Sequence, residues 1–127
     1  MPRKKSEQLT PLELEIMKVL WETGPANVQT VQRQMGSGHA YTTVQTMLNV
    51  LHRKGKVKRA LRDKAYFYRP AVSRREVVGK AVGDLLDKMF GGSAEGLVMS
   101  LLETRRLTPE KLARLNQLVE EEESRDE

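Results

Sequence analysis

The chain of 127 residues has no cysteine, few aromatic residues and no long apolar run. Without cysteine, disulfide frameworks and thiolate metal sites are excluded. No apolar run approaches the roughly 18 residues of a membrane span, so we expect no membrane insertion. The basic N-terminus leads into no apolar signal region, so a secretory peptide is not expected. These absences predict a cytoplasmic protein with a modest core.

The sequence also lacks the motifs of common enzyme classes. His39 and His52 are the only histidines. They are accompanied by no cysteine nucleophile, glycine-rich phosphate loop or H-x-x-x-H metal pair. We read the acidic end at Glu120–Glu123 as a solvated helix end. We therefore expect no catalysis, no cofactor and no metal site.

The net charge of +5 is distributed unevenly along the chain. Residues 1–75 hold 15 Lys and Arg against 5 Asp and Glu, whereas residues 76–127 hold 7 against 12. A basic half would favour a polyanion, and an acidic half would not. The division therefore predicts two parts with different roles.

The residues from Tyr41 to Lys54 predict the helix around which the chain is organised. Val44, Met47, Leu48 and Leu51 recur at i, i+3, i+4 and i+7, which is one face of an α-helix. The other side bears hydroxyl, amide and guanidinium groups but no carboxylate, a composition suited to a DNA major groove. The commoner meaning of such a pattern is an ordinary solvent face. The polar side consists of Thr42, Thr43, Gln45, Thr46, Asn49 and Arg53.

The residues before this helix predict two further helices. Thr10 and Glu13 have the spacing of a capping box for the first helix, which Gly24-Pro25 ends. Asn27 can cap a second, shorter helix that Gly36–Gly38 closes. Together with the helix after them, these elements have helix-turn-helix spacing.

The residues after the helix predict a β-hairpin. Gly55 is a candidate C-cap, and the apolar period then changes from 3.6 to about 2 around a tight turn at Asp63-Lys64. Three helices and a hairpin make a winged helix. A wing of this charge can clamp a DNA backbone; the alternative is a solvated edge strand protected by its charges. The cations are Lys56, Lys58, Arg59, Arg62, Lys64 and Arg69.

The last part of the chain predicts three more helices, beginning after Ser73, Ser93 and Thr108. A unit of about 50 residues buries three apolar helix faces poorly, so a second copy is the expected partner. The alternative is packing against the chain's own N-terminal domain.

We expect a mainly α fold, a winged helix-turn-helix followed by a helical dimerisation region. The expected parts are a flexible basic tail at 1–8, a DNA-binding winged helix at 9–72, a dimerisation domain at 73–123 and an acidic tail at 124–127. The predicted dimer residues are Val78, Val82, Leu85, Leu86, Met89, Leu97, Leu101, Leu112, Leu115 and Leu118.

The sequence resembles the penicillinase-repressor (BlaI/MecI) family of bacterial winged-helix regulators over about residues 8–120. The matching segments are LTPLELEIMKVLWETGPANVQTV, AYTTVQTMLNVLHRKGKVKR, AYFYRP and GGSAEGLVMSLLETRRLTPEKLARL.

This resemblance implies a homodimeric repressor on a dyad operator that overlaps a promoter. In family members tied to β-lactam resistance it also implies a membrane sensor-protease whose signal leads to cleavage of the repressor. The family's Asn-Phe cleavage pair falls here at Ser100–Leu101, a departure from the pattern. The cysteine-rich metal site of the copper-responsive branch has no counterpart in this chain.

We therefore predict a sequence-specific repressor that binds double-stranded operator DNA, with a nonspecific nucleic-acid-binding protein as the alternative. Base contacts are assigned to Thr42, Thr43, Gln45, Thr46 and Asn49. Phosphate contacts are assigned to Tyr41, Arg53, Lys54, Arg62 and Lys64.

Overall fold

A computed structural model describes residues 8–36 and 38–126 of the chain. The basic tail expected at 1–8 therefore lies outside the described residues except for Gln8, as does Glu127. The mainly α fold class with a two-stranded wing is confirmed. The elements in chain order are α1 (Pro11–Thr23), α2 (Val28–Gln34), α3 (Tyr41–Arg53), β1 (Val57–Arg62), β2 (Ala65–Pro70), α4 (Arg74–Met89), α5 (Ala94–Glu103) and α6 (Pro109–Asp126).

Helix α1 begins with the capping box that the sequence predicts. The Glu13 backbone N–H donates to Thr10 Oγ1 at 3.1 Å, and the Thr10 N–H donates to Glu13 Oε1 at 2.9 Å. Glu13 is only 2% exposed, and both of its carboxylate oxygens lie 2.9 Å from Lys54 Nζ. A buried carboxylate needs such a partner. The pair therefore joins the start of α1 to the end of α3.

The hydrophobic core of the winged helix is built from α1, α2 and the apolar side of α3. Val44, Leu48 and Leu51 are the buried residues of α3, as the helical period predicts. Because this side faces the core, the opposite, polar side of α3 faces outward. The buried partners include Ile16, Met17 and Leu20 of α1, Val28 and Val31 of α2, and Val57 and Tyr68 of the hairpin.

Helix α3 ends in a Schellman motif that directs the chain into β1. The cap is Lys54, one residue before the predicted Gly55. Gly55 follows with φ +78°, a conformation that glycine adopts without strain. The Lys56 N–H donates to the Leu51 carbonyl at 2.9 Å, and the Gly55 N–H donates to the His52 carbonyl at 3.1 Å.

The hairpin is antiparallel and turns at Asp63 and Lys64, which have φ values of 51° and 69°. Two positive φ values are those of a type I′ turn, whose twist matches that of the strands. Ala26 and Tyr68 exchange backbone hydrogen bonds of 3.0 and 2.8 Å. This bridge, together with the buried Tyr68 ring, fixes the hairpin to the helices.

The chain divides into two compact units between Val78 and Gly79. This point lies within α4, a few residues after the predicted boundary at 72/73, and the predicted division stays a prediction. Ser73 caps α4 through Glu76, and Ser93 caps α5 through Gly96. Helix α6 continues to Asp126, so residues 124–126 of the expected acidic tail are helical.

The apolar residues of the three C-terminal helices are exposed or half-buried. No residue of α4 or α5 is buried. None of the described helices is long and apolar enough to cross a membrane.

Candidate nucleic-acid interface

The outward side of α3 carries a straight row of polar residues. Thr42, Thr46, Asn49 and Arg53 are spaced i, i+4, i+7 and i+11, so they fall within a sector of roughly 60° and span about 16 Å of the helix. Thr42, Thr46 and Arg53 are exposed, and Asn49 is half-buried. We call these four residues the recognition ridge. Since α3 contains no Asp or Glu, nothing on it repels phosphate.

The other predicted base-contact residues flank the recognition ridge on opposite sides. Thr43 and Gln45 are both exposed. Gln45 and Tyr41 line a cleft of about 470 Å³ between α2, the first half of α3 and the hairpin turn. Among the described residues that line this cleft, Lys64 is the only charged one. The surface is therefore polar and weakly cationic, as a DNA backbone requires.

Aromatic rings hold two arginines of the hairpin in place. The Arg59 guanidinium lies 4.2 Å from the Tyr66 ring centroid, and that of Arg62 lies 4.7 Å from Phe67. Strand alternation places the two arginines on opposite faces of the hairpin. Arg62 and the turn residue Lys64 are exposed, so both cations remain available to a polyanion.

Arg59 also connects the hairpin to the recognition ridge. Its Nη1 donates to Asn49 Oδ1 at 3.3 Å. The sequence places Arg59 among the hairpin cations but predicts no role for it, because the period of a strand does not indicate which helix its residues contact.

The structure gives Lys54 a role different from the predicted phosphate contact. Its side chain is 18% exposed, and its ammonium is bound by Glu13. The Gln8 carbonyl lies 3.5 Å from the same nitrogen. Because its charge is neutralised inside the protein, Lys54 supports the fold. Arg53, one residue earlier, is the exposed cation at the end of the ridge.

The predicted dimer residues are exposed or half-buried. Val78, Val82, Leu85, Met89, Leu115 and Leu118 are exposed. Leu86, Leu97, Leu101 and Leu112 are half-buried. Met99 and Val119 are 54% and 55% exposed and were not among the predicted dimer residues, although Val119 continues the apolar period of Leu112 and Leu115.

The Ser100–Leu101 bond lies within α5, and both residues are half-buried.

Comparison with known proteins gives concordant matches over most of the chain. A sequence profile described as "Penicillinase repressor" matches residues 9–121. The penicillinase repressor of Bacillus licheniformis is 27% identical over 124 residues, which are 96% of this chain and 97% of that protein. "Transcriptional regulator BlaI" of Mycobacterium tuberculosis is 33% identical over 103 residues, covering 78% of this chain and 75% of that one.

Solved structures show the same architecture. The solution structure of the DNA-binding domain of the repressor BlaI matches with a TM-score of 0.50 and 31% identity, over 57% of this chain and 90% of that one. The transcriptional regulator Tm0710 from Thermotoga maritima matches with a TM-score of 0.55 and 21% identity, over 91% and 75% of the two chains. The second match concerns the fold alone.

Proposed function

Since this chain belongs to the penicillinase repressor family, we propose that it represses transcription as a homodimer bound to a dyad operator that overlaps a promoter. The family is one of transcriptional repressors, and the chain is a sequence-specific DNA-binding repressor. The recognition ridge carries the proposal, because it is a polar, acid-free helix side next to a cationic wing.

The ridge and the wing have separate tasks in DNA binding. The hydroxyls of Thr42 and Thr46 and the amide of Asn49 contact base edges in the major groove, with Thr43 and Gln45 at its margins. Arg53 contacts phosphate at the end of the ridge. Tyr41, Arg62 and Lys64 contact the backbone beside the wing.

The exposed apolar residues of the C-terminal helices support a dimer. Val78, Val82, Leu85 and Met89 of α4 are spaced i, i+4, i+7 and i+11, and each is more than 40% exposed. We call them the apolar stripe of α4. Contiguous exposed apolar surface favours association. A two-fold dimer would place two recognition ridges about 34–36 Å apart, or a multiple of this, which matches the half-sites of a palindrome.

A membrane sensor-protease is the further partner that the family resemblance implies. In this chain the cleavage that follows its signal would fall at Ser100–Leu101, within α5. A protease binds its substrate in an extended form, so α5 would have to unwind first. Mass spectrometry of the protein from β-lactam-treated cells tests this step: a fragment ending at Ser100 supports it, and an intact chain released from its operator contradicts it.

Footprinting upstream of the protein's own gene, with a random duplex as competitor, tests the proposed function. A protected dyad that overlaps the promoter and survives the competitor is the expected result. Uniform protection that the random duplex removes would favour the alternative, a nonspecific nucleic-acid-binding protein.

A further inference from the structure

We propose that Arg59 is a positioning residue that sets the base preference of this protein by orienting the amide of Asn49. The proposal rests on the proposed function, because Asn49 belongs to the recognition ridge. Arg59 acts through a hydrogen bond of 3.3 Å from its Nη1 to Asn49 Oδ1. The Tyr66 ring, 4.2 Å below the guanidinium, limits the orientations of that donor.

The contact decides which end of the amide faces Arg59. A guanidinium has five N–H donors and no acceptor, whereas an asparagine amide has an oxygen that accepts and a nitrogen that donates. Only the oxygen can therefore bond to Arg59. A rotation of the amide by 180° would bring two donors together and lose the hydrogen bond.

The amide nitrogen of Asn49 is left for a ligand. None of the described hydrogen bonds involves this nitrogen, and among the described residues no buried polar side-chain atom lacks a partner. If the Asn49 nitrogen were buried, it would therefore need a hydrogen-bond partner. It has none in the described part of the chain, so the nitrogen reaches solvent from the recognition ridge.

An asparagine held in this way directs its amide nitrogen, a donor, toward DNA, because its oxygen faces Arg59. A free asparagine reads adenine with both ends, accepting from N6 and donating to N7. With its oxygen bound to Arg59, Asn49 favours base edges that only accept, namely guanine O6 and N7 or thymine O4. Arg59 thus makes the wing a determinant of sequence preference without contacting a base itself.

The test selects bound duplexes from a randomised pool with the full-length wild-type chain and with Arg59→Gln, Arg59→Lys and Asn49→Ala. We expect the wild type to select a defined pattern. In both Arg59 variants, the preference for one base pair over the others should fall about tenfold at one position of each half-site. The preference at the other positions should stay as in the wild type. Asn49→Ala should relax the same position. Arg59→Lys keeps the charge but lacks the planar donor fork, so it should not restore the preference.

Arg62→Gln is the matched control, because it removes an arginine that stacks on a ring of the same hairpin on the opposite face. It should weaken binding to all duplexes, lower the salt slope by about one and leave the base preference unchanged. The same uniform behaviour in Arg59→Gln, with full recovery in Arg59→Lys, would overturn the positioning role, since Arg59 would then act as a charge.

The double variant shows whether Arg59 acts through Asn49. In an Asn49→Ala background, Arg59→Gln should cause no further change in preference, and an additive change would contradict the proposal. Urea unfolding would show whether the Arg59 variants fold. If they do not, Asn49→Ala still tests the proposal, because an unchanged base preference of this variant at every position overturns it. A wild type that selects no pattern refutes the proposed function itself.

Discussion

Arg53 and Lys54 are neighbours in the sequence but have different roles in the structure. The helical period could predict that Arg53 is exposed, because it continues the spacing of Thr42, Thr46 and Asn49. The ion pair of Lys54 depends on Glu13, which lies 41 residues away in the chain. The capping box revealed Glu13 as an N-terminal residue of α1, but no local pattern showed that its carboxylate is buried. Long-range ion pairs of this kind cannot be found from periodicity.

Arg53→Ala tests the phosphate role at the end of the ridge. The variant should weaken binding to specific and random duplexes alike, and the slope of log K against log salt should fall by about one, because one fewer counterion is released. Titrations at several salt concentrations measure both quantities. Arg106→Ala, an exposed arginine outside the winged helix, should leave the slope unchanged. Full affinity and an unchanged slope in Arg53→Ala would show that Arg53 contacts no phosphate.

Lys54→Met tests the structural role of the Glu13 ion pair. The variant leaves a buried carboxylate without its partner, so the free energy of unfolding should fall by about 2 kcal/mol. This is less than the loss of a fully buried pair because Lys54 is 18% exposed. Urea denaturation measures the change. Arg53→Met, with a side chain in solvent, should stay within about 0.5 kcal/mol of the wild type. Equal stability of the two variants would refute the assigned role.

At the scale of elements, the sequence predicted those features that depend only on neighbouring residues, namely helix caps and the hairpin turn. The capping residues Thr10, Asn27 and Ser73 and the turn at Asp63-Lys64 all occupy the predicted places. The Ala26–Tyr68 bridge was not predicted, because a single residue between two helices has no strand period. The contact from Arg59 to α3 was missed because the period of a strand does not indicate which helix its residues contact. What the sequence could not show was how separate elements meet.

Lys64→Gly separates the geometry of the wing turn from its charge. Lys64 has a φ of 69°, which disfavours a side chain by about 1 kcal/mol relative to glycine. The variant should therefore raise the free energy of unfolding by about that amount and still bind DNA more weakly, because a wing cation is lost. Urea denaturation and DNA titration give the two results. Lys64→Ala should lose the same affinity without the gain in stability, and equal stability of both variants would show that the turn is not strained.

At the scale of the whole molecule, two rows of residues repeat one spacing with opposite chemistry. The recognition ridge of α3 and the apolar stripe of α4 both run i, i+4, i+7 and i+11. The first is polar and free of acids, and the second is apolar and exposed. The charge division of the sequence predicted two parts, but an apolar period alone does not tell whether a helix covers its own domain or a second copy. We propose that the stripe packs against a second copy.

Leu85→Lys tests whether the apolar stripe of α4 forms the dimer interface. The variant places a charge in the stripe, so it should convert the protein to a monomer at micromolar concentration, because an unpaired charge is costly to bury. Sedimentation velocity measures the change. Affinity for a palindromic duplex should fall by about 100-fold or more, whereas binding to a half-site should persist.

Asp87→Asn is the matched control for that variant. It changes the net charge by the same one unit but lies on the opposite side of α4, about 180° from the stripe. It should remain dimeric with wild-type affinity for the palindrome. A dimeric Leu85→Lys would show that the interface lies instead at the exposed residues of α5 and α6, among them Met99 and Val119.

A fragment of residues 1–78, which contains the buried core, should behave like the monomeric variant. If this fragment still dimerised, the division of labour between the winged helix and the C-terminal helices would be wrong.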